Sequence, residues 1–375
     1  MNIRRISEVA ELSGKRVLVR AGLNVPIKDG VVTNPFRVEK ATETIRFLKE
    51  QGAVVVVLAH IGRDPEETLE PVVAAFPPEL GMRFLPDVTS DEAAERIAGA
   101  SPGSVFLCEN VRRYPGETEN DPEFAKVLAS RADLYVNDAF SASHRAHASI
   151  VGIAEHLPSY AGLQFAREID ELSRALDPTH PSLFILGGAK FATKFPILQA
   201  TRAHYDAIFV GGALANDFLR AQGNPIGASL ASEETEGIAE LLADERIVIP
   251  TDVVVESAHG ERHIRAPGEV REDEKILDVG PESVRALSAR VRAASFVLWN
   301  GPLGYFEGGY GASTRAVAQL VADCDNTSIV GGGDTIAAIA EANLEDSFTF
   351  LSTGGGAMLD FLADGTVPGL EVVRG

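Results

Sequence analysis

Short apolar runs that end in glycine-rich turns recur five times in the second half of the chain. They are SLFILGGAK (182–190), AIFVGGAL (207–214), FVLWNGPLG (296–304), SIVGGGDT (328–335) and FTFLSTGGGA (348–357). Runs of four to six residues rich in Val, Ile and Phe are typical of strands buried on both faces of a parallel sheet. Glycine at the exit lets backbone N–H groups approach a ligand, and the following helix adds the positive end of its dipole. The pattern predicts one sheet edge lined by glycine turns, where an open α/β sheet binds nucleotides.

The first half of the chain also alternates apolar runs with amphipathic segments. Strands are predicted at 16–24, 53–60, 104–112 and 133–140, and helices at 37–52 and 121–132. An Asp caps the second of these helices. This βαβ order predicts a second parallel sheet. The polar segment 256–275 predicts an exposed hairpin or loop without identifiable chemistry.

The predicted fold is therefore α/β, with two Rossmann-like lobes, each a parallel sheet flanked by helices and joined by a connecting helix and hinge. Pro and Gly interrupt the pattern at HLPSYAG (156–162), and an apolar stripe over 163–176 predicts the connecting helix. We expect a first lobe over 1–160, completed by 362–375, a connecting helix over 161–177 and a second lobe over 178–361.

Composition narrows the class of protein. A length of 375 residues fits two domains. A formal net charge of −20 disfavours a nucleic-acid partner. No apolar stretch approaches the roughly 18 residues of a membrane span, and no secretory signal is recognisable, so we expect a cytoplasmic protein without a membrane partner. The two cysteines, Cys108 and Cys324, predict neither a disulfide framework nor a cysteine metal site.

Basic residues follow the strands of the first half, although the chain as a whole is acidic. They are Arg20, Arg37, His60, Arg63, Arg112, Arg113, His144, Arg145 and His147. Because parallel strands share one exit edge, these residues are expected to converge on a site for a small polyanion. Each arginine alone is equally compatible with a surface ion pair. The alternative of a metal site at His144 and His147 lacks a third ligand nearby.

Polar residues in the second half point to nucleotide chemistry. Asp334 and Thr335 follow three glycines, where a carboxylate can hold Mg²⁺. Asp334 could instead cap the following helix. Glu307 could accept hydrogen bonds from ribose hydroxyls. Neither GxxxxGK[ST] nor GxGxxG occurs, which disfavours a Walker-type ATPase and a dinucleotide-binding dehydrogenase. Together the halves predict a two-lobed phosphotransferase.

The sequence resembles the phosphoglycerate kinase family along its whole length. The resemblance rests on KRVLVRxxxNVP, AHIGR, ENVRRYPGE with NDPEFAK, VNDAF with HRAHAS, ILGGAK with Lys194, WNGPLGYFE, GGGDT and STGGGA. It implies reversible phosphoryl transfer between 1,3-bisphosphoglycerate and ADP in glycolysis. It also implies Mg²⁺ as cofactor, small-molecule substrates only, a monomer and hinge closure.

The resemblance implies roles for individual residues. Those expected to bind 3-phosphoglycerate are Arg20, Asn24, Arg37, His60, Arg63, Arg112, His144, Arg145 and His147. Those expected to bind the nucleotide are Gly188, Ala189, Lys190, Lys194, Gly211, Gly212, Asn300, Pro302, Glu307, Gly333, Asp334 and Thr335, with Asp334 as the metal ligand. Those expected to act on the migrating phosphoryl group are Arg37, Lys194, Gly355 and Gly356.

The chain departs from the family pattern at several positions. Gly22 replaces an Asp that contacts the glycerate end of the substrate, which predicts weaker binding of 3-phosphoglycerate. Thr193 replaces an Asp before Lys194 and is expected to cap the helix that starts there. Phe350 replaces a His before the STGGGA turn. Met358 also differs from the usual Ser. These changes leave two alternatives, a paralogue acting on another acyl phosphate or carboxylate, and a non-catalytic nucleotide-binding homologue.

Overall fold

The chain divides into two compact units in this computed structural model, which describes residues 1–233 and 235–375. The first unit comprises Met1–Asp170 and Thr366–Gly375, and the second comprises Glu171–Gly365. The chain passes from one to the other within the helix Leu163–Leu176, which has the bounds expected from its apolar stripe. The segment 156–162 belongs to the first unit because it contains an edge strand of that unit's sheet.

The first unit is built on a six-stranded sheet in which every pair of neighbours is parallel. Its strands, with a short hairpin, are β1 (Arg16–Ala21), β2 (Ile27–Lys28), β3 (Val31–Val32), β4 (Val54–Leu58), β5 (Met82–Leu85), β6 (Val105–Cys108), β7 (Leu134–Asp138) and β8 (Ser159–Ala161). Its helices are α1 (Phe36–Glu50), α2 (Asp91–Ala98), α3 (Pro115–Thr118), α4 (Pro122–Ala129) and α5 (Leu163–Leu176), of which α5 continues into the second unit. The sheet order is β5-β6-β4-β1-β7-β8.

Side chains of this sheet pack into a separate core on each face. Along β1, Val17 and Val19 enter one cluster, while Leu18 enters the other. Burial on both faces explains why these strands have continuous apolar sequences. Helix α4 begins as expected, because the Asp121 side chain accepts a hydrogen bond from the backbone N–H of Phe124. The strands β5 and β8 were not predicted.

The second unit contains a parallel sheet and a smaller antiparallel sheet. Its strands are β9 (Ser182–Leu186), β10 (Ala207–Val210), β11 (Ile247–Val248), β12 (Val253–Glu256), β13 (Arg262–Arg265), β14 (Lys275–Val279), β15 (Phe296–Asn300), β16 (Thr327–Gly331) and β17 (Phe350–Leu351). Its helices are α6 (Phe191–Thr201), α7 (Gly212–Ala221), α8 (Ile238–Leu242), α9 (Pro281–Ala293), α10 (Ala312–Ala322), α11 (Gly333–Glu341) and α12 (Gly356–Asp364). A last helix, α13 (Pro368–Glu371), lies in the first unit.

All five glycine-ended runs form strands of one parallel sheet, as predicted. The sheet order is β11-β10-β9-β15-β16-β17. Counted along the chain this is 3-2-1-4-5-6, the order of the Rossmann fold. The switch point falls between β9 and β15, where Leu186 stands in register with Asn300. Part of the segment 256–275 forms a hairpin with β12, and β14 completes the three-stranded sheet β13-β12-β14.

Candidate active site

Arg20 and His60 form the buried centre of the basic cluster in the first unit. Arg20 lies near the end of β1 and is 1% exposed, whereas His60 follows β4 and is 6% exposed. The Nη2 of Arg20 lies 2.8 Å from the Nδ1 of His60. The other branches of the guanidinium donate to the Ser149 Oγ at 2.8 Å and to the Ala21 carbonyl at 2.7 Å. Burial lowers the pKa of Arg20, and the negative charge of Glu117 partly offsets this effect. The guanidinium stays cationic.

A buried carboxylate compensates this positive charge. Glu117 is fully buried at the end of the ENVRRYPGE segment, and it accepts hydrogen bonds from the backbone N–H and the Oγ of Ser149. The Nδ1 of His147 lies 3.6 Å from Glu117 Oε1. Burial alone would raise the pKa of Glu117, but the contacts with His147, Arg20 and Ser149 hold it below its usual value. The carboxylate is therefore ionised, and through Ser149 it is linked by hydrogen bonds to Arg20.

Further predicted basic residues lie around His60. Burial and the field of the surrounding guanidinium groups lower the pKa of His60 below its ordinary value. In decreasing order of effect these groups are those of Arg20, Arg112, Arg145 and Arg37. Burial lowers the pKa of Arg112, and the positive charge of Arg63 is among the charges that lower it further. The structure thus brings together residues from five separate segments, while His144 lies half-buried directly before the exposed Arg145.

The loop after β4 is held by side chains that the sequence analysis assigned to substrate binding. The Gly62 N–H donates to the Asn24 Oδ1 at 2.9 Å, and the Gly62 carbonyl accepts a hydrogen bond from the Arg112 guanidinium. The carboxylate of Glu67 accepts from the backbone N–H groups of Arg63 and Asp64. Gly22 directly follows β1, and a Cβ built on it would be 3.3 Å from the Ser141 Oγ.

A cavity of about 720 Å³ opens at the glycine turns of the second unit. This volume lies within the range of nucleotide-sized pockets. Of the residues expected at the nucleotide, those lining it are Gly188, Ala189, Gly212, Pro302, Glu307 and Asp334. The opposite wall comes from residues 228–231 and from β14, including Lys275 and Leu277. The antiparallel sheet, to which no chemistry was assigned, therefore supplies part of the cavity.

Lys194 and Asn300 meet at the switch point between β9 and β15. The Lys194 side chain lies in α6 and is 9% exposed, and its Nζ donates to the Asn300 Oδ1 at 3.0 Å. The Asn300 Nδ2 lies 3.6 Å from the Met358 Sδ, a weak acceptor that fixes the amide orientation. Burial lowers the pKa of Lys194 to about 8. Lys190 lies exposed where α6 begins.

Asp334 and Thr335 occupy the first turn of α11. Asp334 is exposed and lines the cavity with Glu307. Partial desolvation of the Asp334 carboxyl, and then the negative charge of Glu307, raise the pKa of Asp334. Thr335 is fully buried, and its Oγ1 has no hydrogen-bond partner in the described ranges 1–233 and 235–375. No side chain caps α11, so the alternative role of Asp334 as an N-cap does not apply.

Glycine is required at several turns because other backbone atoms approach closely. A Cβ on Gly212 would lie 2.8 Å from the backbone of Gly188, and one on Gly211 would lie 2.5 Å from Leu303. The turn before α12 differs, because a Cβ on Gly355 or Gly356 would meet no atom within 4 Å. Gly355 has a φ of +54°, so only Gly356 could accept a side chain without strain. Gly333, at the start of α11, also faces open space.

The departures from the family pattern have different structural consequences. Thr193 does not cap α6 as expected: it lies inside the helix, and its hydroxyl donates to the Lys190 carbonyl at 2.9 Å. Phe350 is buried in β17, paired with Ile329 of β16. Glu117 and Ser149 were missed by the sequence analysis, because a carboxylate and a hydroxyl near basic residues carry no signal of burial.

The fold and the two sites define the class, a two-lobed α/β phosphotransferase. A family model described as "Phosphoglycerate kinase" matches residues 6–365. Phosphoglycerate kinases from Methylobacterium radiotolerans and Maricaulis maris are 42% and 43% identical, and the alignments cover 98% of each relative and 99% and 100% of this chain. The solved phosphoglycerate kinases of Coxiella burnetii and Pyrococcus horikoshii superpose with TM-scores of 0.83 and 0.87 at 36% and 29% identity, covering 99% of this chain and 98% of theirs.

The chain belongs to the phosphoglycerate kinase family. It is a kinase that uses ATP and ADP with a small-molecule substrate. The comparisons favour neither alternative raised by the sequence, the paralogue or the non-catalytic homologue. No helix within the described part of the chain is long and apolar enough to cross a bilayer.

Proposed function

We propose that the basic cluster of the first unit binds 3-phosphoglycerate and the cavity of the second unit binds the nucleotide. As a member of its family, the chain catalyses reversible phosphoryl transfer between 1,3-bisphosphoglycerate and ADP, giving 3-phosphoglycerate and ATP. The main support for assigning the two substrates to separate units is the difference between the residues that follow the strands in each unit. Guanidinium groups lie around His60, whereas glycine turns line the cavity. The buried Lys194 lies beside one of these turns, against Gly188 and Asn300.

The first unit suits a small substrate with a phosphate and a carboxylate. Guanidinium groups bind both anions through paired hydrogen bonds. In this cluster Arg63 and Arg145 are exposed, and Arg112 and Arg37 are half-buried. Arg37, in the first turn of α1, lies near the buried carboxylate of Glu168, which partly offsets the fall in its pKa caused by burial. The carboxylate of 3-phosphoglycerate is already ionised at neutral pH, so its attack on a phosphoryl group needs no general base.

The second unit offers a site for Mg²⁺ with the nucleotide. Mg²⁺ prefers oxygen ligands and is held by one or two carboxylates together with substrate phosphates. The exposed Asp334 carboxylate fits this ligand chemistry, as does the Thr335 hydroxyl, which has no hydrogen-bond partner among the described residues. Glu307 stands beside them and suits the ribose hydroxyls. When bound, Mg²⁺ neutralises part of the charge on the phosphates.

Transfer itself needs groups that stabilise charge on the migrating phosphoryl. We assign this role to Arg37, to Lys194 and to the backbone N–H groups of Gly355 and Gly356. The Lys194 ammonium makes a single side-chain hydrogen bond within the described residues, so it has donors left for phosphate oxygens. Gly355 and Gly356 begin α12, where backbone N–H groups point outward from the helix. Fixed donors of this kind act on developing charge.

Steady-state turnover with matched acceptors tests the proposed function. ATP consumption is measured with 3-phosphoglycerate and with other short phosphorylated carboxylates, while ADP binding is followed by calorimetry. We expect turnover with 3-phosphoglycerate to exceed that with every other acceptor and to require Mg²⁺. Preference for another acceptor would support the paralogue, and ADP binding without turnover would support the non-catalytic homologue. Monomeric state, hinge closure and cytoplasmic location stay predictions, the first of which light scattering can test.

A further inference from the structure

The contact between Arg20 and His60 determines which ring nitrogen of His60 can carry a proton. An arginine guanidinium is always protonated and has only donors. Its Nη2 lies 2.8 Å from the Nδ1 of His60, so the Nδ1 must be the acceptor. A neutral imidazole has one N–H, which then belongs to Nε2. While the contact with Arg20 holds, the Nδ1 has no free lone pair for a proton.

Arg20 is poorly placed to bind a substrate itself. Only 1% of the residue is exposed. Each nitrogen of its guanidinium already has a partner, namely the Ser149 Oγ, the Ala21 carbonyl and the His60 ring. Two of its five N–H groups remain, but the burial of the guanidinium leaves a substrate anion little direct access to them. The role expected from the sequence, a direct substrate ligand, therefore does not fit its environment.

A chain of hydrogen bonds fixes Arg20 from the other side. The hydroxyl of Ser149 has one proton, which it donates to Glu117 Oε1 at 2.7 Å. Its lone pairs are then free to accept from the Nε of Arg20 at 2.8 Å. Glu117 is fully buried and accepts a second hydrogen bond from the Ser149 N–H at 2.9 Å. The orientation of each group in this chain follows from that of its neighbour.

The electrostatic surroundings also favour a neutral ring. The charged groups that face His60 are the guanidiniums of Arg20, Arg112, Arg145 and Arg37. They come from β1, from the segment after β6, from the segment after β7 and from α1. A fifth positive charge among them would be strongly unfavourable. A neutral imidazole still supplies a hydrogen-bond donor, and its Nε2 has no partner within the described residues.

We propose that Arg20 is a positioning residue which, anchored through Ser149 to Glu117, holds His60 as a neutral imidazole whose Nε2–H donates to an anionic oxygen of the substrate. The identity of that substrate rests on the proposed function. The tautomer of His60 does not, because it is a property of the free protein. His60 is thus a directional donor within the basic cluster, and the arginines supply the charge.

Nuclear magnetic resonance of the protein labelled with ¹⁵N-histidine tests the tautomer. The His60 signals are identified by their absence from the His60→Gln variant. We expect a pyridine-type Nδ1 and a pyrrole-type Nε2 from about pH 5.5 to 8, a range in which an ordinary histidine titrates. The exposed His156 of the same unit provides a second histidine signal for comparison. A His60 that becomes doubly protonated in this range, or that carries its proton on Nδ1, would overturn the proposal.

Kinetics with two amide variants tests the donor at Nε2. Glutamine at position 60 can place its N–H near the position of Nε2, whereas asparagine reaches only the position of Nδ1. We expect His60→Asn to raise the KM for 3-phosphoglycerate by about 10- to 100-fold, as for a lost hydrogen bond to a charged group. His60→Gln should recover most of this loss. Equal losses in both variants would contradict a donor at Nε2.

The anchoring role is tested by comparing two buried serines of the first unit. Ser149→Ala removes the acceptor for Arg20, whereas Ser143→Ala removes a hydroxyl that contacts Asn137 and the Ala139 carbonyl. We expect only Ser149→Ala to raise the KM for 3-phosphoglycerate and to give His60 signals of both neutral tautomers, because Arg20 is no longer held against the Nδ1. Equal effects would show that Ser149 is merely structural. If the kinase assay failed while the tautomer held, the fault would lie with the proposed function.

Discussion

At the end of β1 the first unit has a buried arginine, whereas at the end of β9 the second unit has two glycines. Both strands are central in six-stranded parallel sheets. Arg20 is surrounded by Ser149, His60 and Glu117, so side chains define its site. In the second unit the backbones of Gly188 and Gly212 lie close to each other at the cavity. Side chains line the rest of the cavity.

This difference matches what each proposed ligand requires. Charged side chains can bind a small polyanion. Buried hydrogen-bond partners must then hold these side chains in position. A nucleotide is larger and needs space near the backbone for its phosphates, which only glycine leaves free. The same parallel topology therefore provides two kinds of site because the residues at the strand exits differ.

Removing the buried cation of the second unit should have the largest effect. We expect Lys194→Met to lower kcat by about 100- to 1,000-fold, as for the loss of a donor that acts on developing charge. The KM for 3-phosphoglycerate should stay unchanged, because that substrate is assigned to the first unit. Calorimetric ADP binding serves as the control for folding of the site. A loss confined to KM would contradict the assignment of Lys194 to transfer.

Removing a guanidinium of the first unit should act on the other substrate. We expect Arg112→Met to raise the KM for 3-phosphoglycerate by about 10- to 100-fold, since a charged hydrogen bond is lost. The KM for ATP should not change. The neighbouring Arg113, which contacts Glu109 and the Glu66 carbonyl, provides the matched control as Arg113→Met. Equal effects of the two variants would indicate a general electrostatic role.

Neutralising Asp334 should weaken binding of the nucleotide and leave binding of 3-phosphoglycerate unchanged. We expect Asp334→Asn to raise the KM for the magnesium nucleotide by about 10- to 100-fold, the range for a weakened metal site. The KM for 3-phosphoglycerate should remain the same. Thermal unfolding should show no loss of stability, because Glu307 and burial already disfavour the charge. The exposed Asp360 offers a control as Asp360→Asn. An unchanged magnesium dependence would argue against Asp334 as ligand.

Restoring a carboxylate at Gly22 should strengthen the first site. We expect Gly22→Asp to lower the KM for 3-phosphoglycerate by about tenfold, as for one added hydrogen bond. Gly22→Ala is the control, because its Cβ alone approaches the Ser141 Oγ at 3.3 Å. If both variants gave the same constant, the departure at Gly22 would have no bearing on substrate affinity.

The pH dependence of Lys194 should give the smallest effect near neutrality. Its pKa of about 8 in the folded protein lies below the ordinary value of 10.5. Below pH 8 both folded and unfolded states hold the proton. Between pH 8 and 10.5 the unfolded state holds more protons, so this group makes stability rise with pH, by about 3 kcal/mol in total.

Two measurements compare wild type with Lys194→Met. Urea unfolding at several pH values should show the rise above pH 8 only in the wild type. The kcat/KM for the nucleotide in the wild type should fall as pH increases through 8, because the neutral amine no longer attracts phosphates. A flat wild-type profile across this range would mean that Lys194 keeps its charge in the free protein.

Much of the fold could be predicted because the strands have distinctive sequences. The five glycine-ended runs and the alternation of the first half gave two parallel sheets, since burial on both faces requires continuous apolar residues. β5 and β8 were missed because both are short, with MRFL lying between Gly and Pro and SYA between Pro and Gly. The segment 256–275 was predicted to be an exposed hairpin or loop, and no strand was predicted at β12 or β14, although residues of both line the cavity.

The sequence indicated which types of residue lie at the candidate sites, but it did not indicate their hydrogen-bond partners. The basic residues after β4, β6 and β7 were expected to meet because parallel strands share an exit edge. Nothing in the sequence showed that Arg20 would be enclosed by Ser149 and His60, or that Glu117 would lie beneath it. Likewise the Lys194–Asn300 contact joins residues more than a hundred positions apart.

The sequence by itself determined the two parallel sheets, the glycine turns and the family, because these depend on local patterns of apolar residues, glycine and charge. Only the tertiary structure decided which of the basic residues are buried and which stay exposed. Burial depends on packing between distant segments, and it sets both protonation and hydrogen bonding. For this reason Arg20 and Arg112, similar in sequence context, have different environments in the folded protein.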